Sequence, residues 1–380
     1  MHVLIPVLHR PIKPTGVCRH AANLAQCLAS NTNISQVTLI IGYWQKDYFE
    51  TVFNLDDEKI RLVTVDIKNS SVSRNIWYLL GLPRLANSLA PDIVHLSFPF
   101  PFIRSKFSCP VVATVHDLYP YEFPENFGFP QVIFNQLFLK QCLDNGDGFA
   151  CVSQITLEKL KFYFPKLKSN IKIKVIYNYV DFSNVASRIP RILDSFPTTP
   201  FPFLISVAQH RKNKNLDLLI QAYAELLQGG NLKPDTKLIL IGSSGPETEN
   251  LKKQISTLNL QNQLLLLSSL EDGELRWLYE KCEMFIIPST TEGFCFPLVE
   301  ALYLGCKAIC SDIPIFREVG FSECTYFQLE GDAVANLSKA IIQALEQPRT
   351  QSTVARDCFS KSQAARQYIE FYSSLIMVRL

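Results

Sequence analysis

Short, mainly apolar runs alternate along the chain with longer stretches whose apolar residues recur at helical spacing. Residues 3–8 form the first run, and Gly16 then opens a stretch in which Val17, Ala21, Leu24, Ala25 and Leu28 share one face. Further runs occupy residues 37–41, 60–65, 92–96, 111–115, 149–152 and 173–176. Helical patterns lie between them at 46–53, 76–89, 132–143 and 156–164. Continuous apolar runs separated by helical spacers predict parallel strands covered by helices on both faces.

From residue 182 to 202 the rhythm lapses, and Pro190, Pro197, Pro200 and Pro202 crowd the segment. It reads as a linker. Strand-like runs then return at 203–207, 237–241, 264–267, 284–287 and 307–310. Helical patterns cover 216–227, 247–258, 274–281, 296–304, 334–345 and 364–377. The expected architecture is α/β, with two doubly wound, Rossmann-like domains at 1–185 and 203–358. A linker spans 186–202, and a C-terminal helix at 359–380 packs back on the N-terminal domain. Ligands in such sheets bind beyond the carboxyl ends of the strands, so two lobes would face a central cleft.

Composition narrows the function. The chain has 380 residues, 47% hydrophobic and 19% charged, which excludes disorder or coiled coil as the main organisation. A net charge of +2 lacks the basic excess of a dedicated nucleic-acid binder. No apolar run approaches the ~18 residues of a membrane-spanning helix. The opening MHVLIPVLHRP reads as a first strand rather than a signal peptide. The 11 cysteines include no C-x-x-C pair and read as reduced core residues of a cytoplasmic protein. Cys306 and Cys310 have no histidine cluster to make a zinc site, and no Asp-x-Asp occurs anywhere.

Four segments carry candidate chemistry. In Glu292-Gly293-Phe294-Cys295-Phe296-Pro297-Leu298-Val299-Glu300, two carboxylates bracket the start of a helix after a strand. A helix N-terminus favours an anion, Gly293 permits close backbone approach, and Pro297 suits the first turn. The carboxylates fit two hydroxyl-bearing parts of one ligand with a phosphate between them, or else a cap and a surface acid. In the segment from Val207 to Leu216, Lys212 or Lys214 can neutralise a phosphate or lie in a solvated basic loop. His116 ends a buried strand, either as a ligand-facing group or as a structural histidine. Gly16, in Pro14-Thr15-Gly16-Val17, marks either a phosphate-approach loop or a plain turn.

Together these segments resemble the retaining glycosyltransferases of family 4, which have the two-Rossmann-domain GT-B fold. The resemblance spans nearly the whole chain. The run from Glu292 to Leu302 is similar to the family's EGFG-x-P-x-LEA pattern, with Cys295 where Gly is usual. Ser311-Asp312, Arg317-Glu318-Val319, Cys151-Val152-Ser153, the run from Val175 to Asp181, and Lys214-Asn215 match in order.

The resemblance implies roles. Glu300 binds the nucleotide ribose. Glu292, with the backbone of Gly293, Phe294, Cys295 and Phe296, holds the donor sugar and its phosphates. Lys214 neutralises the diphosphate, Gly16 lies by the distal phosphate, and His116 contacts the sugar. Ala208 and Gln209 stand where the family has Gly and Arg, so Gln209 joins the donor-binding set with one cation lost, and Arg211 or Lys212 is left to replace it. Ser268 replaces a Gly near the base-binding turn. The N-terminal loop carries one Gly where two are common.

The implied reaction moves a hexose from a nucleoside-diphosphate sugar to a glycan or lipid-linked acceptor. It needs no metal and no cofactor, because a lysine and a helix terminus stabilise the leaving diphosphate. Retention then needs either a covalent carboxylate intermediate or same-face attack assisted by the leaving phosphate; the resemblance favours the latter, in which no residue is a nucleophile. His116-Asp117-Leu118, Pro120 and Phe123-Pro124-Glu125 look like bacterial polysaccharide mannosyltransferases and favour mannose. The expected setting is cytoplasmic, with peripheral contact at the inner face of a membrane, where the aromatic segment 97–104 meets a lipid-linked acceptor or else forms a buried loop. Two alternatives remain: a sugar-nucleotide epimerase on the same fold, and a degenerate nucleotide-sugar-binding subunit.

Overall fold

A computed structural model describes residues 1–10, 12, 15–124, 127–167, 171–195, 201–268, 270–348 and 354–377. The chain divides into two compact units. One comprises Met1–Tyr179 with Lys361–Leu380, and the other Val180–Ser360.

The first unit is built on seven parallel strands: β1 (His2–Pro6), β2 (Gln36–Gly42), β3 (Ile60–Val65), β4 (Ile93–Leu96), β5 (Val111–Val115), β6 (Gly148–Cys151) and β7 (Lys172–Val175). Their order is β3-β2-β1-β4-β5-β6-β7, with His2 opposite Gln36 and Val3 opposite Ile93. Side-chain alternation on β1 explains why its run is apolar throughout. Val3, Ile5 and Val7 face the core that holds Ala21, Leu24 and Leu28, whereas Leu4 and Leu8 face Tyr78, Leu82 and Phe102. Each such side chain, fully buried, contributes about 1.5–3 kcal/mol. The helix Lys361–Ile376 lies in this first unit although the second intervenes in sequence. Its Tyr368, Ile369, Phe371, Tyr372 and Leu375 complete the core around Val3 and Ile5.

The second unit has six parallel strands: β8 (Phe203–Val207), β9 (Lys237–Ile241), β10 (Leu264–Leu267), β11 (Met284–Ile287), β12 (Ala308–Ser311) and β13 (Cys324–Phe327). They run in the order β10-β9-β8-β11-β12-β13. The connections leave β8 and β11 in opposite directions, which makes the gap beyond these two strands the switch point of the sheet. Several elements of this unit went unforeseen. The edge strand β13 is short and three of its four residues are only partly buried, so it shows no apolar run. The helices Pro314–Gly320 and Val354–Cys358 are likewise short.

The loops after β8 and β9 press backbone to backbone. A Cβ on Gly242 would come within 1.9 Å of the Ala208 carbonyl oxygen, and one on Gly245 within 2.3 Å of that of His210. Residues 182–191 lie against the helix Asp272–Lys281: Arg276 Nη1 donates to the Phe182 and Val185 carbonyls at 2.9 and 2.5 Å, and the Arg188 amide donates to Gly273 O at 3.0 Å. Residues 196–200 of the expected linker lie outside the described residues, as do Pro14 and Glu125.

Candidate functional site

The loops that leave β8 and β11 meet at the switch point of the second sheet. After β8, the chain makes one tight helical turn at Lys212–Lys214. It then enters the helix Leu216–Gln228 through Asn215, held left-handed at φ 53°. Asparagine tolerates that conformation better than most residues. The loop after β11 is tied to this turn. The Thr290 amide donates to Asn213 O at 2.9 Å, and Asn213 Nδ2 donates to Thr291 O at 3.4 Å.

These ties bring Lys214 onto Glu292. Lys214 Nζ donates to both carboxylate oxygens, at 2.5 and 2.6 Å, and Ser289 Oγ donates to Oε1 at 2.8 Å. The Ser311 hydroxyl holds the Ser289 carbonyl from β12. Glu292 is only 6% exposed. Burying a carboxylate costs several kcal/mol unless a counter-charge and hydrogen bonds replace its water, and Lys214 with Ser289 supplies both.

Downstream, Cys295 takes φ 72° and ψ 74°, the left-handed region where glycine is at ease. A side chain there costs about 1–2 kcal/mol. Burial, and then the Glu292 charge, pushes the Cys295 thiol well above its ordinary value, so it stays protonated and unreactive. Phe294 packs edge-on against Phe296 and Phe359. The helix Phe296–Tyr303 begins at once. The Leu298 and Val299 amides bond back to Cys295 O at 3.2 and 3.4 Å, and Pro297 has no N–H. The first turn therefore offers an anion the Phe296 amide rather than a fan of donors, which narrows the expected contribution of this terminus.

Glu300 lies about a turn into that helix. The buried Tyr279 hydroxyl donates to its Oε2 at 3.0 Å, from the helix Asp272–Lys281. Burial and then the nearby Glu300 charge raise the Tyr279 phenol well above its ordinary value, so it remains a donor. Gln209 accepts, through Oε1, a 2.8 Å hydrogen bond from Arg211 Nε. Ser268 is exposed just after β10.

The other two expected residues belong to the first unit. Gly16 is the first residue of the helix Gly16–Ala29, after the N-cap Thr15. Among the described residues nothing lies within 4 Å of where a Cβ would stand, and its φ is not left-handed, so no turn demands glycine there. His116 follows β5, partly buried, and Nε2 donates to Ser97 O at 2.8 Å. Burial lowers its pKa to about 4. The ring is neutral at pH 7, with its proton on Nε2 and a lone pair on Nδ1. It can accept a hydrogen bond from a hydroxyl at Nδ1 but cannot donate one there.

Behind His116 lies a polar chain that sequence gave no sign of. His20 stands edge-on to His116, with ring centres 4.6 Å apart. Tyr372 O–H donates to His95 Nδ1 at 2.5 Å, and His95 Nε2–H to Thr114 Oγ1 at 2.7 Å. Thr114 O–H donates to His20 Nε2 at 3.2 Å, and His20 Nδ1–H to Asn178 Oδ1 at 2.8 Å. Tyr368 also reaches Thr114, and burial keeps both rings neutral at pH 7. Asn213, Ser289 and Tyr279 also went unforeseen. Asn213 and Ser289 are small polar residues in loops just after strands, which is a faint signal. Tyr279 sits in an ordinary helical pattern, which is none.

The segment 97–104 is largely packed inward: Phe102 is fully buried and Phe100 stacks on Tyr78 at 3.9 Å. The larger exposed apolar group is Phe129, 84% exposed, with Ile133, Phe134 and Leu137. Among the described residues, no helix is long and apolar enough to cross a membrane. All eleven cysteines are unbridged, nine of them buried.

Residues 14–184 match the family model described as Glycosyltransferase Family 4, and residues 194–358 match that described as Glycosyl transferases group 1. Among curated proteins, the chain is 33% identical over 141 residues to N-acetylgalactosamine-N,N'-diacetylbacillosaminyl-diphospho-undecaprenol 4-alpha-N-acetylgalactosaminyltransferase of Campylobacter jejuni. That match covers 37% of this chain and 35% of the relative's length. The chain is 22% identical to the O-antigen chain mannosyltransferase RfbU of Salmonella typhimurium, over 80% of each. Among solved structures, a sucrose-phosphate synthase from Thermosynechococcus elongatus superposes with a TM-score of 0.76 at 16% identity, over 99% of both chains.

Proposed function

The chain belongs to the glycosyltransferases, with a family 4 domain followed by a group 1 domain, and from that premise we propose that it transfers a hexose from a nucleoside-diphosphate sugar to a growing glycan or lipid-linked acceptor, with retention and without metal. The observation that carries this reading is the cluster at the switch point of the second sheet. There Lys214, Glu292 and Ser289 are locked together, and Glu300 follows in the next helix under the Tyr279 hydroxyl.

Each group has a role in the reaction. Glu300 accepts from the ribose hydroxyls, and Tyr279 holds it in place. Glu292 accepts from hydroxyls of the donor sugar, and the backbone from Gly293 to Phe296 follows the phosphates. Lys214 stabilises the charge that grows on the departing diphosphate, which is where electrostatic help is most effective. The sugar carbon gains positive charge as that bond breaks. No carboxylate nucleophile is assigned; the acceptor attacks from the face the diphosphate leaves, and a diphosphate oxygen takes its proton. His116 accepts from a sugar hydroxyl at Nδ1. Gly16 leaves open space for a phosphate.

Mannose from GDP-mannose is the favoured donor, supported by the likeness to a mannosyltransferase. The exposed apolar side chains from Phe129 to Leu137 suit a lipid-linked acceptor at the cytoplasmic surface of a membrane.

A thermal-shift panel of GDP, UDP, ADP and their sugars tests the reading. One nucleoside diphosphate at about 100 times its dissociation constant should stabilise the chain by ~2.7 kcal/mol. Transfer from the matching sugar should survive excess chelator. No shift with any nucleotide would reject the donor site. Binding with no turnover would leave a binding subunit, and donor conversion without acceptor an epimerase.

A further inference from the structure

We infer that Arg211, set in place by the Gln209 side chain, is the cation that grips the donor's diphosphate first, and that Lys214 engages it only as its pair with Glu292 opens. This rests on the donor-site reading above.

The argument starts from charge. Lys214 is the only cation of this loop within bonding distance of a carboxylate among the described residues, and it engages both oxygens of Glu292. A diphosphate arriving there meets a pair that is already neutral. The loop after β8 holds two further cations, Arg211 and Lys212. Lys212 is exposed. Arg211 is partly buried, has no carboxylate partner among the described residues, and spends one N–H on Gln209 Oε1 at 2.8 Å. A guanidinium has five N–H groups in a rigid fork, so four remain on Nη1 and Nη2, the arrangement that takes two phosphate oxygens at once.

Gln209 acts as a positioning residue because its amide carbonyl orients the guanidinium without cancelling its charge, as a carboxylate would. Its backbone lies in the pressed seam of the β8 and β9 loops, between the Ala208 and His210 carbonyls that leave no room for a Cβ on Gly242 and Gly245. The Gln209–Arg211 pair thus hangs from this seam.

The experiment compares binding of the cognate nucleoside diphosphate and of the plain nucleoside by calorimetry. Arg211→Gln should weaken the diphosphate by roughly tenfold or more and the nucleoside by less than threefold. Gln209→Glu, which would pair with the guanidinium, should weaken the diphosphate while Arg211 is still present. Moving the cation, with Gln209→Arg in the Arg211→Gln background, should restore most of the affinity. Unchanged diphosphate affinity in a folded Arg211→Gln variant would overturn the inference, as would failure of the moved cation to restore binding. A wild-type chain that binds no nucleotide at all would instead refute the donor site itself, so the two failures are distinguishable.

Discussion

The Tyr279 hydroxyl helps to set how Glu300 is presented. Without the Tyr279 O–H, the carboxylate loses its 3.0 Å donor and can turn away from the position a ribose would need. Glu300→Gln should weaken the cognate nucleoside diphosphate by ~1.5–3 kcal/mol, the value of a charge-assisted hydrogen bond. Tyr279→Phe should weaken it by less, about 1 kcal/mol, at nearly unchanged melting temperature. Calorimetry on both variants checks this, and equal affinity in all three proteins would remove Glu300 from the ribose. His116 predicts the opposite split. The side chains proposed for the ribose and diphosphate, Glu300, Lys214 and Arg211, lie in the second unit, so His116→Ala should leave nucleotide affinity nearly intact. Transfer should fall by about 10², the equivalent of ~3 kcal/mol, in kcat and kcat/KM together. A parallel fall in melting temperature and nucleotide affinity would instead mark a structural histidine.

Elements were more legible than their attachments. β1 and β9 are buried on both faces and appear in the sequence as apolar runs, and β2 and β8 do so with one buried hydroxyl each, Thr38 and Ser206. β13, with Thr325 in its middle and three of its four residues only partly buried, offers no such run. Within the site, Glu292 and Glu300 could be found because both lie on one continuous segment. Tyr279 could not, because its link to Glu300 crosses between two helices and leaves no local pattern. Cys295 showed as a departure from a glycine pattern, and its left-handed backbone supplies the physical reason glycine would suit that position. The helix Lys361–Ile376 makes its own prediction. Tyr372→Phe keeps the ring and its burial but leaves His95 Nδ1 without its donor. Stability should fall by ~1–3 kcal/mol, the cost of a buried unsatisfied polar group. Denaturant melts of the variant, read against Tyr372→Leu, separate the bond from the packing.

At the scale of the whole molecule, every one of the six histidines titrates below its ordinary range. His9 and His116 fall to about 4 and His95 to about 3, while His2, His20 and His210 are also lowered, in each case chiefly by burial. The unfolded chain takes up these protons near pH 6.5, and in the folded chain His9, His20, His95 and His116 refuse them until the pH is far lower. Stability should therefore be level above about pH 6.5 and fall as pH drops towards 4, each of these four contributing up to ~1.4 kcal/mol per pH unit. Melting curves between pH 4.5 and 8 check this, and a melting temperature flat across that interval would show that the rings are not buried as described. The placement of the helix Lys361–Ile376 has a further consequence, for the order in which the protein is made. As a nascent chain leaves the ribosome, the first sheet emerges complete by Val175, but the residues that close its core around Val3 and Ile5 arrive only after the whole of Val180–Ser360. The second unit can finish folding while the first still waits with an apolar face open. Synthesis thus exposes the earlier half to chaperones and to misassociation for longer than the later one.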